Sequence, residues 1–128
     1  MKTILLIIVC LGIGILYACQ KSPEVPSLSA DKFEELITDD RVQLVDVRTV
    51  AEYSGGHLPR AININIMDER FHEAAYQLLS TDVPVAVYCK SGRRSKRAAQ
   101  ELLKAGYQVY NLDKDIQGWK EAGKSVVK

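Results

Sequence analysis

Cysteine is scarce in this chain, and its scarcity excludes two kinds of chemistry. Among 128 residues only Cys10, Cys19 and Cys89 carry a thiol, and no two of them have the two-residue spacing of a dithiol oxidoreductase. The histidines, His57 and His72, have no spacing to a cysteine that suits a tetrahedral metal site. We therefore expect no thioredoxin-like activity, no bound metal and no cofactor.

The chain also lacks a large excess of either basic or acidic residues. The chain has 17 basic and 16 acidic residues, and Lys2 is the one charged residue among the first 18. Without those 18 residues the chain is neutral overall, whereas proteins that bind nucleic acid usually carry a basic excess. We expect no nucleic-acid partner.

The amino terminus resembles a bacterial export signal. Met1-Lys2 is followed by an uncharged run over residues 3–17, which is shorter than the roughly 20 apolar residues of a membrane-spanning helix. Leu16-Tyr17-Ala18-Cys19 resembles the lipobox of bacterial lipoproteins. The resemblance implies a signal peptide over residues 1–18, a lipid on Cys19, and a membrane-anchored protein of the cell envelope that faces the periplasm or the exterior. An ordinary signal peptide and an uncleaved anchor remain the alternatives.

The rest of the chain divides into a tether and one domain. Residues 19–27 contain two prolines and several polar residues, which is typical of an extended linker. Residues 28–128 suffice for one compact core but not for two. We expect a monomer, in which Cys89 is the remaining free thiol because Cys10 leaves with the signal and Cys19 carries lipid.

Short apolar runs alternate with amphipathic segments along this domain. The alternation predicts an α/β fold, with a small central parallel sheet and helices on both faces. The predicted strands are residues 42–47, 61–64, 83–88 and 108–112. The predicted helices are residues 30–38, 70–79, 95–105 and 116–121, with a single helical turn at residues 49–53.

The segment around Cys89 carries the candidate nucleophile. Cys89 lies where an apolar strand ends and a helix follows, and parallel sheets bind ligands at that edge. Because a helix amino terminus favours anions, we expect it to stabilise the thiolate. Gly92 permits a tight turn in which the backbone N–H groups of residues 90–95 surround the sulfur. The predicted active-site loop, whose basic residues should attract small anions, consists of Lys90, Ser91, Gly92, Arg93, Arg94 and Ser95.

Several separated segments of the domain resemble those of a rhodanese domain. They are Leu44 to Arg48, Glu52-Tyr53, Gly56 to Ile64, the cysteine loop, and Gln117 to Gly123. The resemblance covers about residues 28–128. It implies a sulfurtransferase that moves a sulfane sulfur from an anionic donor such as thiosulfate, through a persulfide on Cys89, to a thiol or cyanide acceptor.

The chain departs from the family pattern at two places. Arg60 stands where the family often has glycine, and Lys114-Asp115 replaces a frequent glycine pair before the last helix. We expect both to be local turn adjustments that leave the nucleophile untouched.

The resemblance also implies roles for basic residues near the nucleophile. Arg94 matches the last position of the pattern Cys-x-x-Gly-x-Arg; it either binds the donor or holds the loop by hydrogen bonds, and we favour the second role. Lys90 and Arg93 are expected around the mouth of the site, for donor recognition, with a purely solvated role open for each. Arg48 matches a family position near the active site, with either a substrate-binding or a structural role.

Two further residues near the site are assigned structural roles. Asp46 is expected to bond to backbone or to Arg48. His57 lies in a turn that the family uses for architecture, so we expect a structural hydrogen bond rather than a catalytic base.

Other functions use the same residues and remain open. A persulfide carrier or sensor would employ Cys89 with little turnover of thiosulfate, and a protein-interaction module would retain only the fold. Phosphatase or arsenate reductase activity is disfavoured, because four residues separate Cys89 from Arg94 and the loop of a related phosphatase is one residue longer.

Overall fold

The computed structural model of the protein describes residues 24–128. The predicted signal peptide, the lipidation of Cys19 and most of the predicted tether lie outside these residues. None of the helices within residues 24–128 is both long and apolar enough to cross a membrane.

Strands and helices alternate strictly along the described chain. The strands are β1 (Ser27–Leu28), β2 (Gln43–Asp46), β3 (Ile62–Asn63), β4 (Val85–Tyr88) and β5 (Val109–Leu112). The helices are α1 (Ala30–Thr38), α2 (Val50–Ser54), α3 (Phe71–Leu78), α4 (Arg93–Lys104) and α5 (Asp115–Glu121).

The strands form one parallel sheet in the order β1-β5-β4-β2-β3. In the register of this sheet, Val45 of β2 lies opposite Val87 of β4, and Val85 of β4 lies opposite Val109 of β5. Every residue of the central strand β4 is buried. Such continuous burial requires helices on both faces of the sheet, and the predicted α/β fold is confirmed.

Side chains of β4 alternate between the two covered faces. Val85 and Val87 pack in the cluster that contains α3 and α4, whereas Ala86 and Tyr88 pack in the cluster that contains α1 and α5. Cys89 continues this alternation and lies in the cluster with α3 and α4. The strand therefore delivers the cysteine sulfur to the side of the sheet on which α4 begins.

The sequence does not predict β1. Ser27 and Leu28 pair with Asn111 and Leu112, and the Asn111 N–H donates to the carbonyl of Pro26 at 2.9 Å. The predicted boundary between tether and domain, at residue 28, consequently falls inside a strand. A two-residue strand next to a proline is too short to show a periodicity.

The departures from the family pattern coincide with left-handed backbone. Arg60, Lys114 and Asp115 have φ values of 70°, 60° and 54°. Glycine adopts this region without steric cost, which accounts for its frequency at these positions in the family. Asp115, as the first residue of α5, directs a carboxylate from a place where glycine has no side chain.

Candidate active site

Cys89 lies between the carboxyl end of β4 and the amino terminus of α4. Gly92 turns the chain with a φ of 112°, and its N–H donates to the Cys89 sulfur at an N to S distance of 3.2 Å. The sequence predicts that the N–H groups of residues 90–95 surround the sulfur; in the described chain, the N–H of Gly92 is the one that donates to it. Helix α4 begins at Arg93, two residues before its predicted start, because the turn at Gly92 leads directly into it.

Helix α5 holds the Cys89 backbone at two points. The Cys89 N–H donates to Asp115 Oδ1 at 2.8 Å, and the Cys89 carbonyl accepts from the Ile116 N–H at 3.1 Å. The Ser95 hydroxyl of α4 donates to the same Asp115 oxygen at 3.0 Å. One carboxylate thus joins the end of β4 to the starts of α4 and α5.

The expectation that Lys114-Asp115 leaves the nucleophile untouched is wrong for Asp115. This side chain is 1% exposed and lies against the cysteine loop. Desolvation by burial raises the pKa of Asp115, while hydrogen bonds from the Cys89 backbone, Ser95 and the Cys89 side chain act in the opposite direction. The sequence did contain a signal for this contact, namely an aspartate before the last helix at a position where the family often has glycine. Its reach to Cys89 follows from the left-handed φ, which a sequence does not display.

Arg94 forms a two-pronged ion pair with Glu52 of α2. Its Nη1 and Nη2 atoms donate to Oε1 and Oε2 at 2.5 and 2.9 Å. The hydrogen bond from Arg94 is the main reason that the pKa of Glu52 falls from 4.5 to about 2, and bonds from Thr49 in the capping box of α2 lower it further. Of the two roles considered for Arg94, these contacts favour holding the loop.

Arg48 and Asp46 form a buried ion pair at the end of β2. Arg48 Nη2 lies 2.7 Å from Asp46 Oδ2, and the two side chains are 6% and 0% exposed. The same nitrogen donates to the carbonyl of Gly56 at 2.6 Å. Because protein atoms engage this guanidinium on two sides, the geometry favours a structural role for Arg48 over donor binding.

His57 is bound to parts of the domain other than the cysteine loop. Its Nδ1 lies 2.9 Å from the carbonyl of Tyr53, and its ring stacks on the Tyr53 ring at 3.7 Å between centroids. Its backbone exchanges two hydrogen bonds with Val127 near the carboxyl terminus. These contacts are those of a residue that joins α2 to the end of the chain.

The rim of the cysteine loop is basic, whereas its centre is covered. Lys90, Ser91 and Arg93 are exposed. Cys89 itself is 1% exposed, although the sequence predicts a nucleophile in an open crevice. The whole residue is therefore almost completely shielded from solvent, at the base of a loop with a basic rim.

Comparison with known protein families assigns the domain to one of them. Residues 29–122 match the family described as the Rhodanese-like domain. The chain belongs to the rhodanese-like family. Solved members include a rhodanese-related protein from Thermoplasma volcanium, with 31% identity and a TM-score of 0.70 over 80% of this chain and 97% of that one.

Curated relatives of this rhodanese-like chain include proteins named for sulfur transfer. It is 33% identical over 96 residues to the thiosulfate sulfurtransferase GlpE of Shewanella oneidensis, which covers 74% of this chain and 92% of GlpE. The chain matches two Bacillus subtilis relatives over less than two thirds of their own length. The chain is 40% identical to the uncharacterized protein YqhL, over 62% of this chain and 61% of YqhL. It is 26% identical to the putative sulfur carrier protein YrkF, over 80% of this chain and 55% of YrkF.

Removal of the Glu52 charge should destabilise this rhodanese-like domain in a pH-dependent way. Glu52→Gln deprives Arg94 of its anionic partner, so we expect the free energy of unfolding at pH 7 to fall by about 1–2 kcal/mol, a figure reduced for the partial exposure of both side chains. Because folding lowers the pKa of Glu52, the stabilisation is complete above pH 4.5 and is lost as the pH falls towards 2. Urea unfolding between pH 2 and pH 7 measures the effect.

The matched control is Glu35→Gln, at an exposed position of α1. Its free energy of unfolding should stay close to that of the wild type throughout. A deficit in Glu52→Gln that is the same at pH 2.5 and pH 7 would contradict the assignment of this ion pair.

Proposed function

We propose that the protein is a sulfurtransferase in which Cys89 carries a sulfane sulfur as a persulfide. One observation supports this above all: the Cys89 sulfur accepts the Gly92 N–H at the start of a twelve-residue helix. Backbone donors and helix amino termini both favour negative charge. Thiolates and persulfides are anions, so one loop can serve both states of the sulfur.

The proposed donor is thiosulfate or a chemically similar anion. The Cys89 sulfur attacks the outer sulfur of the donor, the S–S bond of the donor breaks, and sulfite leaves with the bonding electron pair. A thiol or cyanide then attacks the outer sulfur of the persulfide and releases Cys89. A second cysteine is not required, because an external nucleophile resolves the covalent intermediate.

The charges of the loop support an anionic donor. Lys90 and Arg93 are exposed on its rim, where each can meet a sulfonate or thiosulfonate group. Glu52 engages Arg94 through both of its oxygens. We therefore assign donor recognition to Lys90 and Arg93, and loop anchoring to Arg94.

A persulfide carrier is the second candidate, and the covered sulfur favours it. Because Cys89 is 1% exposed, a protein partner that shifts the loop would widen the access to the sulfur. The likeness to YrkF, which is named as a putative sulfur carrier protein, supports the same alternative. A carrier would accept one sulfur and turn over small donors slowly.

The purified protein should form thiocyanate from thiosulfate and cyanide, and Cys89→Ser should abolish this turnover. Treatment with thiosulfate alone should add about 32 Da, one sulfur atom, to the Cys89 peptide, and dithiothreitol should remove it. Mass spectrometry and a colorimetric thiocyanate assay provide the two measurements.

Cys19→Ser is the matched substitution and should keep the turnover of the wild type. Unchanged turnover in Cys89→Ser would exclude the proposed nucleophile. Loading of one sulfur without thiocyanate formation would identify a carrier instead of a thiosulfate-using enzyme.

We further propose that the protein is an envelope lipoprotein, with residues 1–18 as its signal peptide and residues 19–27 as a tether for the rhodanese-like domain. The support is the lipobox-like sequence ending at Cys19. A lipid on Cys19 would hold the domain at a membrane and keep it outside the cytoplasm.

Loss of the lipid attachment site should release the protein. Cys19→Ser should move from the membrane fraction to the soluble fraction of disrupted cells, whereas Cys10→Ser should stay with the membranes. A Cys19→Ser protein that remains membrane-bound through an intact amino terminus would refute the lipoprotein proposal.

A further inference from the structure

Asp115 is a buried carboxylate whose direct partners are uncharged. The buried acidic residues of the described chain are Asp46 and Asp115. Asp46 is paired with Arg48 at 2.7 Å, whereas Asp115 accepts hydrogen bonds from the Cys89 N–H and the Ser95 hydroxyl. An ionised carboxylate that is buried without a cation is costly, and the cost is relieved when it binds a proton.

The geometry leaves one oxygen of Asp115 directed towards the turn beside the nucleophile. Oδ1 accepts both hydrogen bonds, from Cys89 and from Ser95. Oδ2 lies on the side of Gly92, 3.4 Å from the position that a Cβ on this glycine would occupy. Gly92 also donates its N–H to the Cys89 sulfur. The second oxygen and the sulfur therefore border the same residue.

Sulfur transfer at this place raises a problem of charge. The proposed reaction needs an anionic sulfur on Cys89 and brings an anionic donor to it. An ionised Asp115 would repel both. Two interacting acids in this situation titrate as a pair, and the first negative charge disfavours the second.

We propose that Asp115 and Cys89 share one proton, which Asp115 takes from the Cys89 thiol as the sulfur attacks the donor. This inference rests on the sulfur transfer proposed above. It assigns to Asp115 the part of a proton acceptor for the Cys89 thiol.

The proton and the charges balance in both half-reactions. The Cys89 thiol, the Asp115 carboxylate and thiosulfate give the Cys89 persulfide anion, sulfite and the Asp115 carboxylic acid, and for fully ionised sulfur species the two sides carry the same total charge. Cyanide then takes the outer sulfur as thiocyanate, the Cys89 sulfur receives the electron pair of the broken S–S bond, and Asp115 returns the proton. The site thus holds a single negative charge before and after each transfer.

The surrounding charges come from three elements. Asp113, just before α5, raises the proton affinity of Asp115 by like-charge repulsion. On α4, Arg94 faces Cys89 but is paired with Glu52 of α2. Among the described residues, the ion pairs of the domain do not include Asp115. Of the two residues that hydrogen-bond to Asp115, Cys89 and Ser95, Cys89 is the one with an acidic side chain.

Asp115→Asn tests the shared proton, because asparagine tolerates the left-handed backbone and keeps an oxygen for the Cys89 N–H. Alkylation of the full-length protein by iodoacetamide is followed on the Cys89 peptide from pH 4 to pH 10. We expect the midpoint of the rate profile to move at least about one pH unit lower in the variant, a tenfold change, because the competing negative charge is gone. A midpoint that stays in place would overturn the inference.

Proton release during persulfide formation supplies the second readout. Each protein is loaded with thiosulfate in weakly buffered solution, at a pH below its own alkylation midpoint. We expect the wild type to release about one proton fewer per sulfur loaded than Asp115→Asn, because Asp115 retains the proton. A purely structural role for Asp115 would leave this stoichiometry unchanged.

The outcomes separate the shared proton from the proposed function. Equal proton release with normal persulfide formation would overturn the shared proton and leave sulfur transfer standing. The lack of any mass increase on Cys89 in the wild type would refute both. Glu121→Gln, at an exposed position of the same helix, should behave as the wild type. If Asp115→Asn fails to fold, Asp115→Gly removes the carboxylate at a position where glycine suits the backbone.

Discussion

The two hydrogen bonds by which α5 holds the Cys89 peptide are the constraint on which the rest of the site depends. The end of β4 would otherwise be free to turn in several directions. With its N–H bound to Asp115 and its carbonyl bound to the Ile116 N–H, the Cys89 residue has one orientation relative to the sheet. The sulfur then faces the turn at Gly92 and the start of α4. The nucleophile is therefore placed by the helix that follows the last strand, more than twenty residues away in sequence.

Ion pairs fasten the surrounding loops to this centre. Arg94 and Glu52 connect the first turn of α4 to α2, and Arg48 with Asp46 connects the end of β2 to the loop at Gly56. Each of these arginines is paired with a carboxylate that offsets its positive charge. Their main effect is therefore to hold the loops in place. The exposed Lys90 and Arg93 lie on the rim instead. This division separates the residues that shape the loop from those that can meet an anion.

Much of the fold could be predicted because apolar residues recur along the sequence with the spacings of strands and helices. The predicted helix at residues 30–38 matches α1 in both bounds, and β4 ends at Tyr88 as the apolar run predicts. Strand β1 could not be predicted, because two residues are too few to show the alternation of apolar and polar side chains that is typical of a strand. The loop around Cys89 could be predicted from a cysteine between a strand and a helix. The burial of Cys89 could not, since burial depends on contacts between elements that are distant in sequence.

Asp115 shows most clearly where sequence reasoning ends. Its neighbours in the chain suggest only a turn, and its contact with Cys89 arises because β4 and β5 lie side by side and both lead into this edge of the sheet. Local propensity concerns residues close in sequence, whereas a buried carboxylate acquires its partners from the topology. A residue at a position that favours glycine is therefore a signal for inspection of its surroundings, even when its local role is a turn.

The most direct test of the account is a crystal structure of the protein after treatment with thiosulfate. We expect electron density for one additional sulfur bonded to Cys89 Sγ, lying within hydrogen-bonding distance of backbone N–H groups of residues 90–95, with the Cys89 backbone still bound to Asp115 and Ile116. An unmodified thiol under conditions in which the thiosulfate is consumed, or a persulfide turned away from those N–H groups, would contradict it.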